Sequence, residues 1–413
     1  MSAPPLRVLF FRPSMAEGGA DRVTLTVLRL LDRRRFAPSL ALLRLRGPFL
    51  ADLPADVKVH HVRAPRLALA APSLAWLLAR EAPDVLFSTS STGNIAAALA
   101  HAAARSRARL VLSERTPLLR DDGRALRQRA FAWAKRRTYD RADLVTAVAQ
   151  GIAAQLVERI GLSPARVRVV SNPMLDDALP GLAREELPSA RARDFFDGAA
   201  PVILACGRLV PVKDYPTLLE AFAKVHEQRA ARLCVLGEGP ERAQMEARVR
   251  ELGLGADVWL AGFDKNPFRY MARAALLLHA SRAEGMPGAQ IQAMACGLPV
   301  VSTDCEFGPR EVIRDGHNGY LAPVGDARAL ASAVERLLGD AALRAQMSEA
   351  ARRSVARFAV GPAMAEYEAA ISGQELRAAS AHEAAQMDRR GAEDGDGDGE
   401  REAEPVKENG GKA

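Results

Sequence analysis

Short runs of consecutive apolar residues alternate along this chain with longer stretches in which apolar positions recur every three or four residues. "RVLFF" (7–11) is the first run. The stretch after it, "MAEGGADRVTLTVLRLLDRR", has a glycine-bearing turn and then apolar residues at 23, 27, 30 and 31, the spacing of one helix face. "APSLALLRL", "VKVHHV", "DVLFSTS", "ARLVLSER", "ADLVTAVA" and "VRVVSNP" read as further strands with helical segments between most of them. Runs that are apolar at every position, rather than at every second one, suit strands buried on both faces of a parallel sheet. The rhythm fails over 174–200, which carries two prolines in "MLDDALPGLAREELPSARARDFFDGAA", and restarts with "PVILACGRL". Strands then follow at "ARLCVLGEGP", "VWLAGF", "AALLLHAS", "PVVSTD" and "GYLAPV". The pattern predicts an α/β protein of two doubly wound parallel-sheet, Rossmann-like domains facing across a cleft. The predicted divisions are a first domain over 1–175, a linker over 176–200 and a second domain over 201–350. A helical segment over 351–372, split at Gly361-Pro362, is a candidate to return to the first domain. Helix 326–340 has Asp326 as its cap. Beyond Ser372 the residues are mostly Gly, Asp, Glu and Ala, a composition that cannot bury a core, so 373–413 is expected to be an unstructured acidic tail.

Length agrees with this division, since 413 residues exceed one typical core. The four cysteines, Cys206, Cys234, Cys296 and Cys305, stand singly, without metal-ligand or redox spacing, and read as small buried thiols. No secretory pattern opens the chain, and the longest apolar stretch, "LALAAPSLAWLLA" (67–79), is too short to span a bilayer and contains Pro72. A cytoplasmic protein is expected. Net charge is +7, but from Gly391 onward eight acids face three bases, which leaves the preceding chain near +12. Such a body suits anionic partners: nucleotides, phosphates or acidic lipid.

Four constellations carry candidate chemistry. Gly18 and Gly19 stand between the first strand and the first helix, where bare backbone and a helix amino end favour a phosphate; an ordinary strand–helix turn has the same sequence. "CGRLVPVKDYPTLLEAF" (206–222) ends a strand with Gly207 and Arg208 and places Lys213 just before a helix. Two cations at the carboxyl end of a parallel strand can neutralise a diphosphate in place of a metal, or be solvated surface charge. "LGEGPER" (236–242) lacks the third small residue of a dinucleotide fingerprint, because Arg242 stands there. In "EGMPGAQIQ", Glu284 follows a strand, Pro287 and Gly288 open a helix, and Gln292 lies in its first two turns. A carboxylate for sugar hydroxyls beside amides for phosphate describes a nucleotide-sugar site; a capping acid and a surface Gln are the plainer reading.

"GRLVPVKDYPTLLEAF", "LGEGPER", "VWLAGF" and "SRAEGMPGAQIQAMACGLPVVSTDCEFGPREVIRDGHNGYL", in this order and spacing, resemble the retaining family 4 glycosyltransferases of GT-B fold, and "GGADR" and "SNP" fit that family's first domain. The resemblance covers about 1–372 and is densest over 200–325. It implies a metal-independent hexosyltransferase without cofactor. Such an enzyme moves a hexose or N-acetylhexosamine from a nucleotide-diphosphate sugar to a saccharide or lipid-linked saccharide acceptor in glycan assembly. It further implies that Glu284 meets donor-sugar hydroxyls, that Gln292 takes the ribose-binding place usually held by a second Glu, and that Arg208 and Lys213 grip the diphosphate. Where many relatives carry a cleft histidine, this chain has "SERTP" (113–117), so Arg115 is a candidate acceptor or phosphate contact, or one half of a structural ion pair. No histidine of the chain has a motif context.

Two other segments carry competing readings. In "GRALRQRAFAWAKRRTY" (123–139), Leu126, Ala130 and Trp133 share a stripe flanked by six bases, Lys135 among them. That suits a helix lying on anionic lipid, which would make the protein peripheral on the inner face of the cytoplasmic membrane, or a packed helix with a solvated basic face. "EDGDGDGE" (393–400) imitates the start of a calcium loop, but Pro405 stands where the closing Glu belongs, so no metal is expected. A nucleotide-sugar epimerase and a non-catalytic carbohydrate-binding relative remain as alternatives. Nucleic acid is not an expected partner, since no reading module accompanies the basic excess.

Overall fold

The computed structural model describes residues 4–15, 19–117 and 125–375. The acidic tail, apart from its first three residues, and the calcium-like segment lie outside them. The first domain holds β1 (Leu6–Arg12), β2 (Phe36–Leu42), β3 (Lys58–His61), β4 (Val85–Ser88), β5 (Arg109–Glu114), β6 (Leu144–Ala147) and β7 (Val167–Val169). Its helices are α1 (Gly19–Leu30), α2 (Ala71–Glu81), α3 (Ser91–Ala103), α4 (Ala125–Tyr139) and α5 (Gln150–Glu158). The sheet order is β3-β2-β1-β4-β5-β6-β7, with every described pairing parallel.

The segment expected as a linker contains two short helices, α6 (Leu179–Arg184) and α7 (Ala190–Phe196). Leu179, Leu187 and Ala192 join the apolar layer on one face of the second sheet, so this segment is packed rather than free. The second domain has β8 (Val202–Cys206), α8 (Tyr215–Gln228), β9 (Arg232–Leu236), α9 (Arg242–Glu251), β10 (Val258–Gly262), α10 (Phe268–Met271) and β11 (Leu276–His279). It continues with α11 (Gly288–Ala295), β12 (Val300–Thr303), α12 (Pro309–Val312), β13 (Gly319–Ala322), α13 (Ala327–Gly339) and α14 (Ala341–Ser354). Its parallel sheet runs β10-β9-β8-β11-β12-β13.

Alternate strand residues enter opposite layers. Leu9 and Phe11 pack with the α2, α3 and α5 side, whereas Val8 and Phe10 pack with Leu28 of α1. This two-sided burial is why the strands read as unbroken apolar runs. Asp326 caps α13 as expected, accepting from Arg328 N at 3.0 Å and Ala329 N at 2.9 Å. By contrast α5 begins after Ala149, which offers it no side-chain cap.

The chain recrosses after α14. A 3-10 turn at Ala356–Phe358 leads to α15 (Val360–Ser372), so the helical break falls before Gly361, and Pro362 sits in a first turn where its missing N–H is not needed. Met364, Tyr367, Ala370 and Ile371 of α15 are buried with the β1/α1 face of the first sheet. The two crossings run side by side: Leu175 bridges Ala359, Leu175 N donates to Phe358 O at 3.2 Å, and Val360 N donates to Leu175 O at 3.1 Å. No helix among the described residues is long and apolar enough to cross a membrane.

Candidate active site in the cleft

In the second sheet β8 and β11 are neighbours from which the chain departs to opposite sides, the place where an open parallel sheet forms a crevice at its carboxyl edge. The loop after β8 carries Gly207 and Arg208 and ends in a 3-10 turn, Pro211–Lys213. The loop after β11 carries Arg282 and Glu284. The two loops are fastened together. Arg282 Nε donates to Asp214 Oδ2 at 2.8 Å, and Arg282 N donates to Val212 O at 2.9 Å. Asp214 is buried and adopts left-handed backbone at φ 49°, so it is fixed where Lys213 turns back toward the crevice.

Lys213 Nζ then lies 2.5 Å from Glu284 Oε1, and His279 Nε2 lies 2.7 Å from the same oxygen. Ser281 Oγ lies 2.7 Å from the same imidazole nitrogen. Burial by itself pushes the Glu284 carboxyl up, but the charge of Lys213 and the hydrogen bond from His279 outweigh it and hold the group well below the usual carboxylate range. Burial first, and Lys213 second, push the His279 imidazole down, so it is neutral at pH 7 and donates through Nε2–H. Glu284 is therefore a fixed anion that accepts hydrogen bonds. Arg208 is exposed on the same cavity wall, and among the described residues no side-chain partner holds it.

Helix α11 opens at the next turn with Gly288, whose place a side chain would share with Met174 at 3.5 Å. Gly207, Gly288, Ala289 and the half-buried Gln292 line the cavity with Glu284. The intervening loop is pressed from both sides. A Cβ on Gly285 would lie 2.0 Å from Arg115 O of the first domain. Gly308, at φ +86°, abuts Glu284 Cβ from within the second domain. Met286 packs against the apolar layers of both domains. Gly237 and Gly239, from "LGEGPER", are pressed on the backbone of Gly207 and Leu209; a Cβ there would come within 1.9 and 2.3 Å. These two glycines thus seat the Arg208 loop.

The opposite wall comes from the first domain. Gly19 and Ala20 of α1 line it together with Arg115. Gly18, expected beside Gly19, lies outside the described residues. Arg115 Nη2 donates to Tyr367 Oη of α15 at 2.8 Å and Nη1 to Ala20 O at 3.4 Å, while Nε is buried without a partner. Among the described residues no carboxylate pairs with Arg115. The ion pair expected as one option at "SERTP" belongs instead to its neighbour: Glu114 accepts from Lys135 at 2.8 Å, from Tyr139 Oη at 2.8 Å and from Ser91 Oγ. Lys135 is 1% exposed, which corrects its placement among the solvated bases of its helix. Trp133 of the same stripe is 66% exposed, so the stripe is not packed at that residue.

The two walls enclose about 900 Å³, enough for a nucleotide-sized ligand. On the β8/β11 side this volume meets two cations, a fixed carboxylate, and a helix amino end. That combination can hold an anion and, beside it, a polyhydroxylated group. Sequence reading singled out Glu284, Lys213, Arg208 and Arg115, and the structure places all four on this cavity. It missed His279, whose signal is its place as the last residue of a strand five positions before Glu284.

Two family models match the chain, "Glycosyltransferase Family 4" over 17–174 and "Glycosyl transferases group 1" over 188–354. Among curated relatives, an N-acetylgalactosaminyltransferase acting on N-acetylgalactosamine-N,N'-diacetylbacillosaminyl-diphospho-undecaprenol from Campylobacter jejuni is 30% identical over 53% of this chain and 57% of its own length. The lipopolysaccharide core biosynthesis glycosyltransferase LpsE of Rhizobium meliloti is 34% identical over 36% of this chain and 43% of its own. The chain thus spans about half the length of these relatives. Among solved structures, Anabaena HepE in complex with UDP-glucose superposes with a TM-score of 0.76 at 22% identity, covering 89% of this chain and 100% of that one. This likeness shows the shared two-domain fold.

Proposed function

The chain belongs to the family 4 glycosyltransferases of GT-B fold, and from that premise we propose that it moves a hexose or N-acetylhexosamine from a nucleotide-diphosphate sugar to a saccharide or lipid-linked saccharide in glycan assembly. One observation carries the reading: Lys213 and His279 converge on a single oxygen of Glu284, beside Gly207 and Arg208, at the crevice of the second sheet.

In this reading the diphosphate lies against Arg208, Lys213, Gly207 and the amino end of α11, without a metal. The negative charge that grows on the leaving phosphate as the anomeric C–O bond breaks is met by groups already in place. Glu284 accepts from hydroxyls of the sugar and orients the ring; it meets atoms remote from the anomeric carbon and is not a nucleophile. Gln292 bonds the ribose as donor and acceptor, weaker than a Glu by about 1 kcal/mol. The acceptor approaches from the first domain, past Gly19 and Arg115. Attack on the face that the nucleotide leaves retains configuration, with the acceptor proton passing to the departing phosphate oxygen. Arg115, on the cavity wall with no carboxylate partner among the described residues, supports a polar contact to acceptor or phosphate there. The Campylobacter relative acts on an undecaprenol-linked substrate, and exposed Trp133 among exposed Arg129, Arg136 and Arg137 supports a lipid-surface role for α4 on the inner leaflet.

The test is sugar transfer by full-length Glu284→Ala and Lys213→Ala proteins, with UDP-sugars screened first by thermal shift. Each variant is expected to lose at least tenfold in turnover while remaining folded by circular dichroism, and EDTA is expected to leave wild-type activity in place. Wild-type rates in both variants would overturn the assignment.

A further inference from the structure

Helix α5 of the first domain has no cap from its own chain, yet its first two N–H groups are not open. Gln150 N donates to Glu311 Oε2 at 3.0 Å, and Gly151 N donates to Glu311 Oε1 at 3.1 Å. Glu311 belongs to the second domain. Both oxygens of its carboxylate thus close a helix amino end on the far side of the cleft, where the helix dipole favours negative charge. The backbone of Glu311 is held from behind. Glu311 N donates to Gly308 O at 3.0 Å, and Arg357 donates to Glu311 O. Beside it the Phe307 ring is pressed close to Gly151: a Cβ at 151 would come within 2.0 Å of that ring.

The segment that carries Glu311 is also the backing of the sugar-side loop. A Cβ at Gly308 would come within 3.2 Å of Glu284 Cβ and 2.9 Å of Gly285 O, and one at Gly285 within 2.0 Å of Arg115 O and 3.5 Å of Ile152 of α5. These backbones are packed with no room for a side chain. A continuous path therefore runs from the α5 amino end through Glu311 and Gly308 to Glu284, and back to the first domain at Arg115. We propose that Glu311 is a positioning residue. By capping α5 across the cleft it holds the two domains together in the one arrangement that seats the Glu284 loop against Arg115. When the domains part, α5 loses its cap and the loop loses its backing, so closure and the placement of Glu284 are a single event. The nearby Arg159–Glu306 pair, at 3.5 Å between half-exposed groups, contributes little to this arrangement.

This inference rests on the proposed transferase reading only for its kinetic arm; its structural arm needs no substrate. Full-length wild type, Glu311→Ala, Glu311→Gln, Gly151→Ala and Arg159→Ala are compared by small-angle scattering and by hydrogen exchange of the 150–152 amides. Glu311→Ala is expected to enlarge the radius of gyration and to speed exchange at 150 and 151 at least fivefold. Glu311→Gln, which keeps one acceptor oxygen, is expected to fall between. Gly151→Ala favours the helix itself yet displaces Phe307, so it is expected to open the protein without lowering its melting temperature. Arg159→Ala is expected to match wild type. In UDP-sugar transfer, Glu311→Ala is expected to raise KM and lower kcat/KM about fivefold or more, with Glu311→Gln restoring part of both. Unchanged scattering in both Glu311→Ala and Gly151→Ala would overturn the proposal, as would a Glu311→Ala protein that melts earlier with unaltered scattering and KM. A protein that opens as described but transfers no sugar would uphold the latch and refute the function.

Discussion

At the scale of single residues, Glu284 and His279 make opposite demands on protons. Glu284 stays ionised because Lys213 and His279 outweigh its burial. His279 stays neutral because burial and Lys213 outweigh its attraction to Glu284. As pH falls below about 6.5, an unfolded chain binds a proton at residue 279 and the folded one does not, so stability drops with falling pH in that window. Glu284 adds a second loss of the same sign only below about 4.5, where its unfolded carboxyl takes up a proton. Replacing His279 by Gln, whose amide can still donate to Glu284, is therefore expected to flatten the upper segment of a plot of unfolding free energy against pH while leaving the lower one. Identical slopes in variant and wild type would mean that His279 takes up its proton alike in the folded and the unfolded chain, contrary to its burial beside Lys213. Glu284, Lys213 and Arg208 were legible in the sequence because their spacing from strand ends is itself the signal. His279 was not, because its partnership depends on how the chain turns after β11, and one His in an apolar strand carries no period or motif.

At the scale of elements, the strands among the described residues were legible: burial on both faces of the central ones writes an apolar run that few other structures produce, and the sheet-edge β3 and β7, less buried, showed by their β-branched residues. The orientation of α4 was not. Its stripe of Ala130 and Trp133 resembles a packing face, but the helix is fastened by a charged residue on another face, Lys135, which reaches Glu114 at the end of β5. Sequence periodicity treats a lysine as outward, and only a buried acid contributed by another element reverses that. Lys135→Met leaves the Glu114 charge buried and is expected to cost about 3–5 kcal/mol in urea denaturation. Pairing it with Glu114→Gln is expected to recover most of that loss, and a single variant as stable as wild type would show the pair to be idle. Trp133→Ala, at an exposed site, is expected to leave stability within about 0.5 kcal/mol and to weaken sedimentation with phosphatidylglycerol vesicles. Undiminished sedimentation would remove α4 from the lipid surface.

At the scale of the whole molecule, α15 is the last element among the described residues, and one face of it is buried in the first domain. Ending the chain after Ala359 would uncover the Val8, Phe10 and Leu28 layer and take Tyr367 from Arg115. At about 1.5–3 kcal/mol for each large side chain, the first domain is expected to lose roughly 5 kcal/mol or more. Soluble yield and the lower of two calorimetric transitions measure this, and an unshifted transition would show the return helix to be dispensable. A return to the first domain was only one option in the sequence, because apolar spacing tells that a helix is covered but not by which partner. The paired crossings at Leu175 and Ala359 have their own consequence. The molecule is bound along a two-ply spine, so its halves can swing like book covers, whereas sliding or twisting would shear one ply against the other. Any chimera that borrows one half from a cousin must therefore cut and rejoin both plies in register.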